Sequence, residues 1–180
     1  MRPKFNSIVA CVIPSLLNYM LIDNMVLFNN SIDMILFMPG LLFGLCFSIT
    51  NLKKKFIIPF TILSTIIYYF AIVIFLNISN NTPNIFLLTC TYIVPGMFGA
   101  FMLSKCLLFM KEIKFNIRFE IINLMIGGIA SIIFLTLYCY ESNDFIQLIL
   151  SYIIWQLSVG ITLHMYIKMS HEKNLKLNKF

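Results

Sequence analysis

The sequence predicts an all-α membrane protein, a single bundle of six transmembrane helices. Three observations carry that expectation. Hydrophobic residues fill 60% of the 180 positions and charged residues only 11%, with a mean hydropathy of +0.92. The 13 basic and 7 acidic side chains gather between apolar runs, each near the roughly 20 residues a helix needs to cross a hydrocarbon core. All 13 basic residues fall on one side of the bundle that those runs define. A water-soluble fold carries charge on about a quarter of its residues. The composition therefore excludes a soluble globular domain, a disordered chain and a nucleic-acid-binding module.

The first span, 5–22, carries no charge and ends at Asp23. The second, 34–52, lies between Asp33 and the triplet Lys53-Lys54-Lys55. From Phe56 to Ser104 there are 49 uncharged residues, too many for one helix. The polar, proline-containing stretch Asn77-Ile78-Ser79-Asn80-Asn81-Thr82-Pro83-Asn84 divides them into spans 56–76 and 85–104. The fifth span, 121–140, is closed by Glu141-Ser142-Asn143-Asp144. The sixth, 145–167, leads into a polar tail, 168–180. Ile, Phe and Val would favour strands in water, but in lipid each segment must satisfy its own backbone, which makes these runs helices. Runs such as Ile72-Val73-Ile74-Phe75-Leu76 lack the alternation of an outer-membrane barrel.

Orientation follows from the basic residues. Arg2 and Lys4, Lys53 to Lys55, the group Lys105, Lys111, Lys114 and Arg118, and the group Lys168, Lys173, Lys176 and Lys179 share one side. The opposite loops hold Asp23, Asp33, Glu141 and Asp144 and neither Lys nor Arg. Both termini, with the tail, are expected in the cytoplasm. The net charge of +6 is thus a topology signal and an attraction to anionic lipid. The chain has 30 Ile against 4 Ala, the bias of an AT-rich genome, which points to a bacterial inner membrane and makes the sequons at Asn29, Asn77 and Asn80 compositional accidents.

Ile8-Val9-Ala10-Cys11 matches a short lipidation pattern, but Lys4 lies too close for a signal h-region, so the first helix is expected to be an uncleaved anchor. Cys11, Cys46, Cys90, Cys106 and Cys139 are scattered and show no C-x-x-C spacing. No metal site, disulfide framework or cofactor is expected from them.

Spans two and four share a feature. Met38-Pro39-Gly40-Leu41-Leu42-Phe43-Gly44 and Val94-Pro95-Gly96-Met97-Phe98-Gly99-Ala100 both place a small residue four positions after Pro-Gly, at an offset of 56. This suggests a two-helix hairpin used twice. Proline removes a ladder donor, while Gly40 with Gly44, and Gly96 with Ala100, lie on one helix face and admit a close neighbour. Helix packing is the plain reading of Pro39, Gly40, Gly44, Pro95, Gly96 and Ala100. The sharper one is that kinked helices flank a cavity, as broken helices do in transporters.

Polar groups within the spans are the place to look for function. Asn18 lies in span one, Asn123 in span five, and Gln147, Gln156 and His164 in span six. Tyr152, Gln156, Gly160 and His164 follow at i+4 and form one face, beside the single tryptophan, Trp155. Gln156, His164, Asn123 and Asn18 are the candidate polar pocket. The loop from Lys105 to Glu120 interleaves basic residues with Phe109, Ile113, Phe115 and Ile117 and reads as an interfacial segment. Enzyme signatures such as G-x-S-x-G, H-E-x-x-H and the P-loop are absent, and no enzymatic activity is expected. The expected function is a small transporter or membrane-embedded solute-binding subunit. The alternative is a non-catalytic accessory or immunity-type protein acting through helix–helix contacts. The expected partners are the lipid bilayer and a membrane protein or small solute, not nucleic acid.

Overall fold

Five helices and no strand form over the described residues of the computed structural model, which are 12–13, 16–17, 20, 32–79, 85–140 and 144–177. Side chains are described over 37–75, 77, 90–132 and 153–172, and at the five positions before residue 21. The helices are α1 (Ile32–Asn51), α2 (Ile57–Ser79), α3 (Ile85–Phe109), α4 (Ile117–Tyr140) and α5 (Asp144–Leu177), with a single 3-10 turn at Lys54–Phe56. The positions described before residue 21 are helical as well, within the expected first span. Asn18 lies outside the described residues.

Two of these helices, over Lys54–Phe75 and Cys90–Phe109, are long and apolar enough to cross a membrane, and Phe37–Asn51 is apolar but shorter. Exposed apolar side chains recur every four residues. They are Phe37, Leu41, Leu45 and Ile49 on α1, and Ile58, Ile62, Ile66 and Phe70 on α2. The interior is mixed: Phe43, Phe47, Phe60, Leu103, Leu107, Val159 and Leu163 are fully buried together with Ser48, Ser64, Thr91, Ser104, Asn123 and Gln156.

The helices overrun the apolar runs in the sequence. α3 continues past Ser104 to Phe109, α4 begins at Ile117, ahead of Ile121, and α5 carries the start of the polar tail to Leu177. Charge marks where the apolar run ends, but Lys, Glu and Leu are good helix formers and the hydrogen-bond ladder does not stop there. What stops α3 is a change of backbone hand. Lys111 adopts φ 57°, and its N–H donates to Leu108 O at 2.9 Å while Glu112 N–H donates to Leu107 O at 3.1 Å. This is the Schellman cap, in which a left-handed residue returns the chain onto the last carbonyls.

Within the interfacial segment expected between Lys105 and Glu120, this cap ends α3 and a short turn leads into α4. Met110, Glu112 and Ile113 turn inward, while Phe109, Lys111, Lys114 and Phe115 remain outside. The Tyr166 hydroxyl on α5 donates to Lys114 O and fastens this turn to the bundle.

Consecutive helices pack side by side, and α5 returns against α1 and α3. The proline–glycine helices set the closest approaches. A Cβ on Gly40 would lie 2.7 Å from Tyr68 Cβ and 2.8 Å from Thr65 Cα, and one on Gly44 would lie 2.9 Å from Thr61 Cα, so α1 and α2 touch backbone to backbone. A Cβ on Gly96 would meet Gly127 O at 2.6 Å, and one on Gly127 would meet Ala100 Cβ at 2.6 Å, which does the same for α3 and α4. Two hairpins, α1–α2 and α3–α4, thus share one packing device: Pro-Gly on the first helix against small or hydroxyl side chains on the second.

Candidate functional site

Two groups of described polar side chains tie separate elements together: a junction between the hairpins and an ion-paired cluster at the lysine-bearing end. The junction is built by adjacent residues of α5. Trp155 Nε1 donates to Gly96 O at 3.2 Å, and Gln156 Nε2 donates to Pro39 O at 3.4 Å. One helix therefore reaches both proline–glycine motifs, because neighbouring residues on a helix point about 100° apart and α5 lies between α1 and α3. The indole ring stands edge-on to Tyr68, with centroids 5.2 Å apart, and meets Phe43 in a second edge contact at 6.5 Å. Gly99 makes room for it, since a Cβ there would lie 2.9 Å from Trp155 Cζ2.

Carbonyls in the middle of a helix already accept from the ladder. Each still has a second lone pair, and the side chains that reach it tie helices together. Ser64 Oγ donates to Gly40 O at 3.0 Å, and Asn123 Nδ2 donates to Ala100 O at 2.7 Å. Asn123 is fully buried and its Oδ1 has no hydrogen-bond partner. The proline–glycine residues are thus acceptors as well as close-approach points.

Compared with known proteins, the chain matches no family model, no curated protein and no solved structure. The site must be read from its own geometry.

The hydrogen bonds described for Gln156, Asn123 and His164 reach different places. Gln156 meets α1 and Asn123 meets α3, while His164 Nδ1 is hydrogen-bonded to Asn51 Oδ1 at the end of α1. Asn18 and Gln147 lie outside the described side chains. A groove of about 330 Å³ runs between α4 and α5, lined by Ile126, Ile129, Ala130, Ser158 and Ile161. Gln156, Asn123 and His164 do not line it, and Ser158 is its one polar side chain among the described residues.

Sequence reasoning missed the second cluster. Glu112, 1% exposed, lies with Oε1 at 3.2 Å from Lys53 Nζ and Oε2 at 3.3 Å from His171 Nε2, within ion-pair range but without hydrogen-bond alignment. It joins the α1–α2 connection, the α3–α4 turn and the end of α5. Glu120, also buried, accepts from Ser104 Oγ at 2.7 Å and lies 3.2 Å from Lys105 Nζ. A buried carboxylate is tolerated only with such partners. Glu112 received no role from the sequence, because its partners come from segments distant in the chain. The signal that could have marked it is its place between the apolar residues Met110 and Ile113, both buried in the structure.

Among the described residues no group of three or more His, Cys, Asp or Glu side chains could hold a metal ion. Cys46, Cys90 and Cys106 are free thiols.

Proposed function

We propose that this chain is a six-span integral membrane protein, with both termini in the cytoplasm of a bacterial cell, that acts without catalysis through helix–helix contacts. An accessory subunit of a membrane complex or an immunity-type protein fits that description. The observation that carries the proposal is that Trp155, Gln156 and Asn123 commit side-chain donors to helix carbonyls in the core. Polar side chains used in this way hold helices together, each for roughly 0.6 to 2 kcal/mol. The described groove is apolar and lies apart from these residues, so it gives a transport reading no support of its own.

Membrane placement is supported by the two spanning-length helices and by the apolar faces they turn outward. The topology is testable in a cysteine-free background. Cysteines at Asn81 and Asn143 are expected to react with an impermeant reagent added outside intact cells, and one at Lys54 only after lysis. Protection of both outer positions would sink the six-span arrangement.

The functional proposal is tested at Gln156. Gln156→Leu is expected to lower the melting temperature of the solubilised protein by a few degrees, through loss of the bond to Pro39 O, and to leave solute uptake unchanged. Saturable uptake of a solute into proteoliposomes that Gln156→Leu abolished at unchanged stability would restore the transporter reading.

A further inference from the structure

The α3–α4 turn has no role in the helix contacts just described, and its composition divides sharply between inside and outside. Met110, Glu112 and Ile113 anchor it, and Tyr166 holds its backbone at Lys114. On the outside Phe109 is 85% exposed, Phe115 60% and Ile117 58%. Interleaved with them are the exposed cations Lys111, Lys114 and Arg118.

The charge on this surface is not cancelled locally. Glu112 points inward to Lys53 and His171, and Glu120 is occupied by Lys105 and Ser104. Among the described residues no carboxylate pairs with Lys111, Lys114 or Arg118. Lys105 also lies over the rings of Phe101 at 4.7 Å and Phe115 at 5.1 Å, which holds Phe115 in its outward position.

Lys111 supplies a separate observation. It occupies the left-handed position of the Schellman cap, where glycine is the usual residue because a Cβ is disfavoured. A lysine there is held by the cap with its side chain on the outer face of the turn, where it is exposed.

We propose that this turn is a docking surface for anionic glycerophospholipid in the leaflet at the lysine-bearing end of the bundle. The phosphate and its anionic headgroup are recognised by Lys111, Lys114 and Arg118, and the proximal acyl methylenes pack on Phe109, Phe115 and Ile117. The surface lies where two apolar helices, α3 and α4, leave the hydrocarbon, the depth at which aromatic rings and basic side chains meet headgroups. Charge complementarity selects lipid: three unpaired cations beside exposed apolar rings match a group whose anion and hydrocarbon are covalently joined. The inference rests on the membrane placement proposed above and is independent of the helix-contact function.

The test uses the full chain in phosphatidylcholine bilayers containing a trace of spin-labelled phosphatidylglycerol or spin-labelled phosphatidylcholine. The motionally restricted fraction of each lipid gives the selectivity. The intact chain is expected to prefer phosphatidylglycerol by about fivefold or more, and the triple variant K111A/K114A/R118A by less than about twofold. K54A/K55A removes exposed cations from the same end and is expected to keep most of the preference. Lys111→Gly relaxes the cap and is expected to raise the melting temperature while lowering the selectivity, which separates binding from folding. Equal restriction of the two lipids by the intact chain, or an unchanged preference in the triple variant, would overturn the proposal. So would an equal loss in K54A/K55A, which would show bulk surface charge instead of a site. Loss of the preference in inorganic phosphate, but not in chloride of equal ionic strength, would assign the surface to free phosphate and overturn the lipid assignment. A chain that fails to enter the bilayer would refute the membrane placement itself, a different result from entry without selectivity.

Discussion

Gly96→Leu is expected to abolish recovery of folded, monodisperse protein after detergent extraction. Its Cβ alone would meet Gly127 O at 2.6 Å and overlap Ser131 Oγ. The obstacle includes backbone, which cannot rotate away as a side chain can. Overpacking a closed core typically costs about 1–3 kcal/mol. Here α3 and α4 must separate along their length, so the loss is expected at or above the top of that range, about 3 kcal/mol. Gly40→Leu and Gly44→Leu should act similarly between α1 and α2, where the neighbours are Thr65 Cα and Thr61 Cα. Leu45→Phe, on the exposed face of α1, should extract normally. Fluorescence-detected size-exclusion chromatography on the four variants measures this. Small and equal losses at all four positions would show that the glycines are not at helix interfaces.

Trp155→Ala is expected to cost about 3–5 kcal/mol in thermal or denaturant unfolding. The ring contacts three other helices: Phe43 on α1, Tyr68 on α2, and Gly96 and Gly99 on α3. Its removal leaves a cavity with no single neighbour able to fill it. Trp155→Phe keeps much of the ring contact and removes only the donor to Gly96 O, so it should cost about 1 kcal/mol. A cost under about 1 kcal/mol for Trp155→Ala would mean that α5 does not hold the hairpins together.

The sequence and the structure agree best where a single element carries the signal. Helix existence was legible because each apolar run is closed by charge or by turn residues, as at Lys53 and at Asn77 to Asn84. The Pro-Gly motifs were legible as close-approach points because the Gly40–Gly44 and Gly96–Ala100 spacing is internal to one helix. Partners were not legible. Nothing in the 155–156 pair states that one member reaches α3 and the other α1, since that depends on where α5 lies. Glu112 was hidden because its partners, Lys53 and His171, come from segments distant in the chain. The end of α3 was missed because the cap uses Lys111 where glycine would have announced it.

The position of α5 in the chain bears on biogenesis. Both hairpins have complete small-residue seams before α5 is synthesised. The Pro39 and Gly96 carbonyls, however, must wait for the 155–156 pair, and Glu112 for His171. On the membrane placement proposed above, the two hairpins would each expose, during translation, a surface that only a later helix covers. A chain cut short before residue 155 would hold both hairpins yet leave their carbonyls uncovered, an exposed intermediate of the kind that aggregates or is degraded.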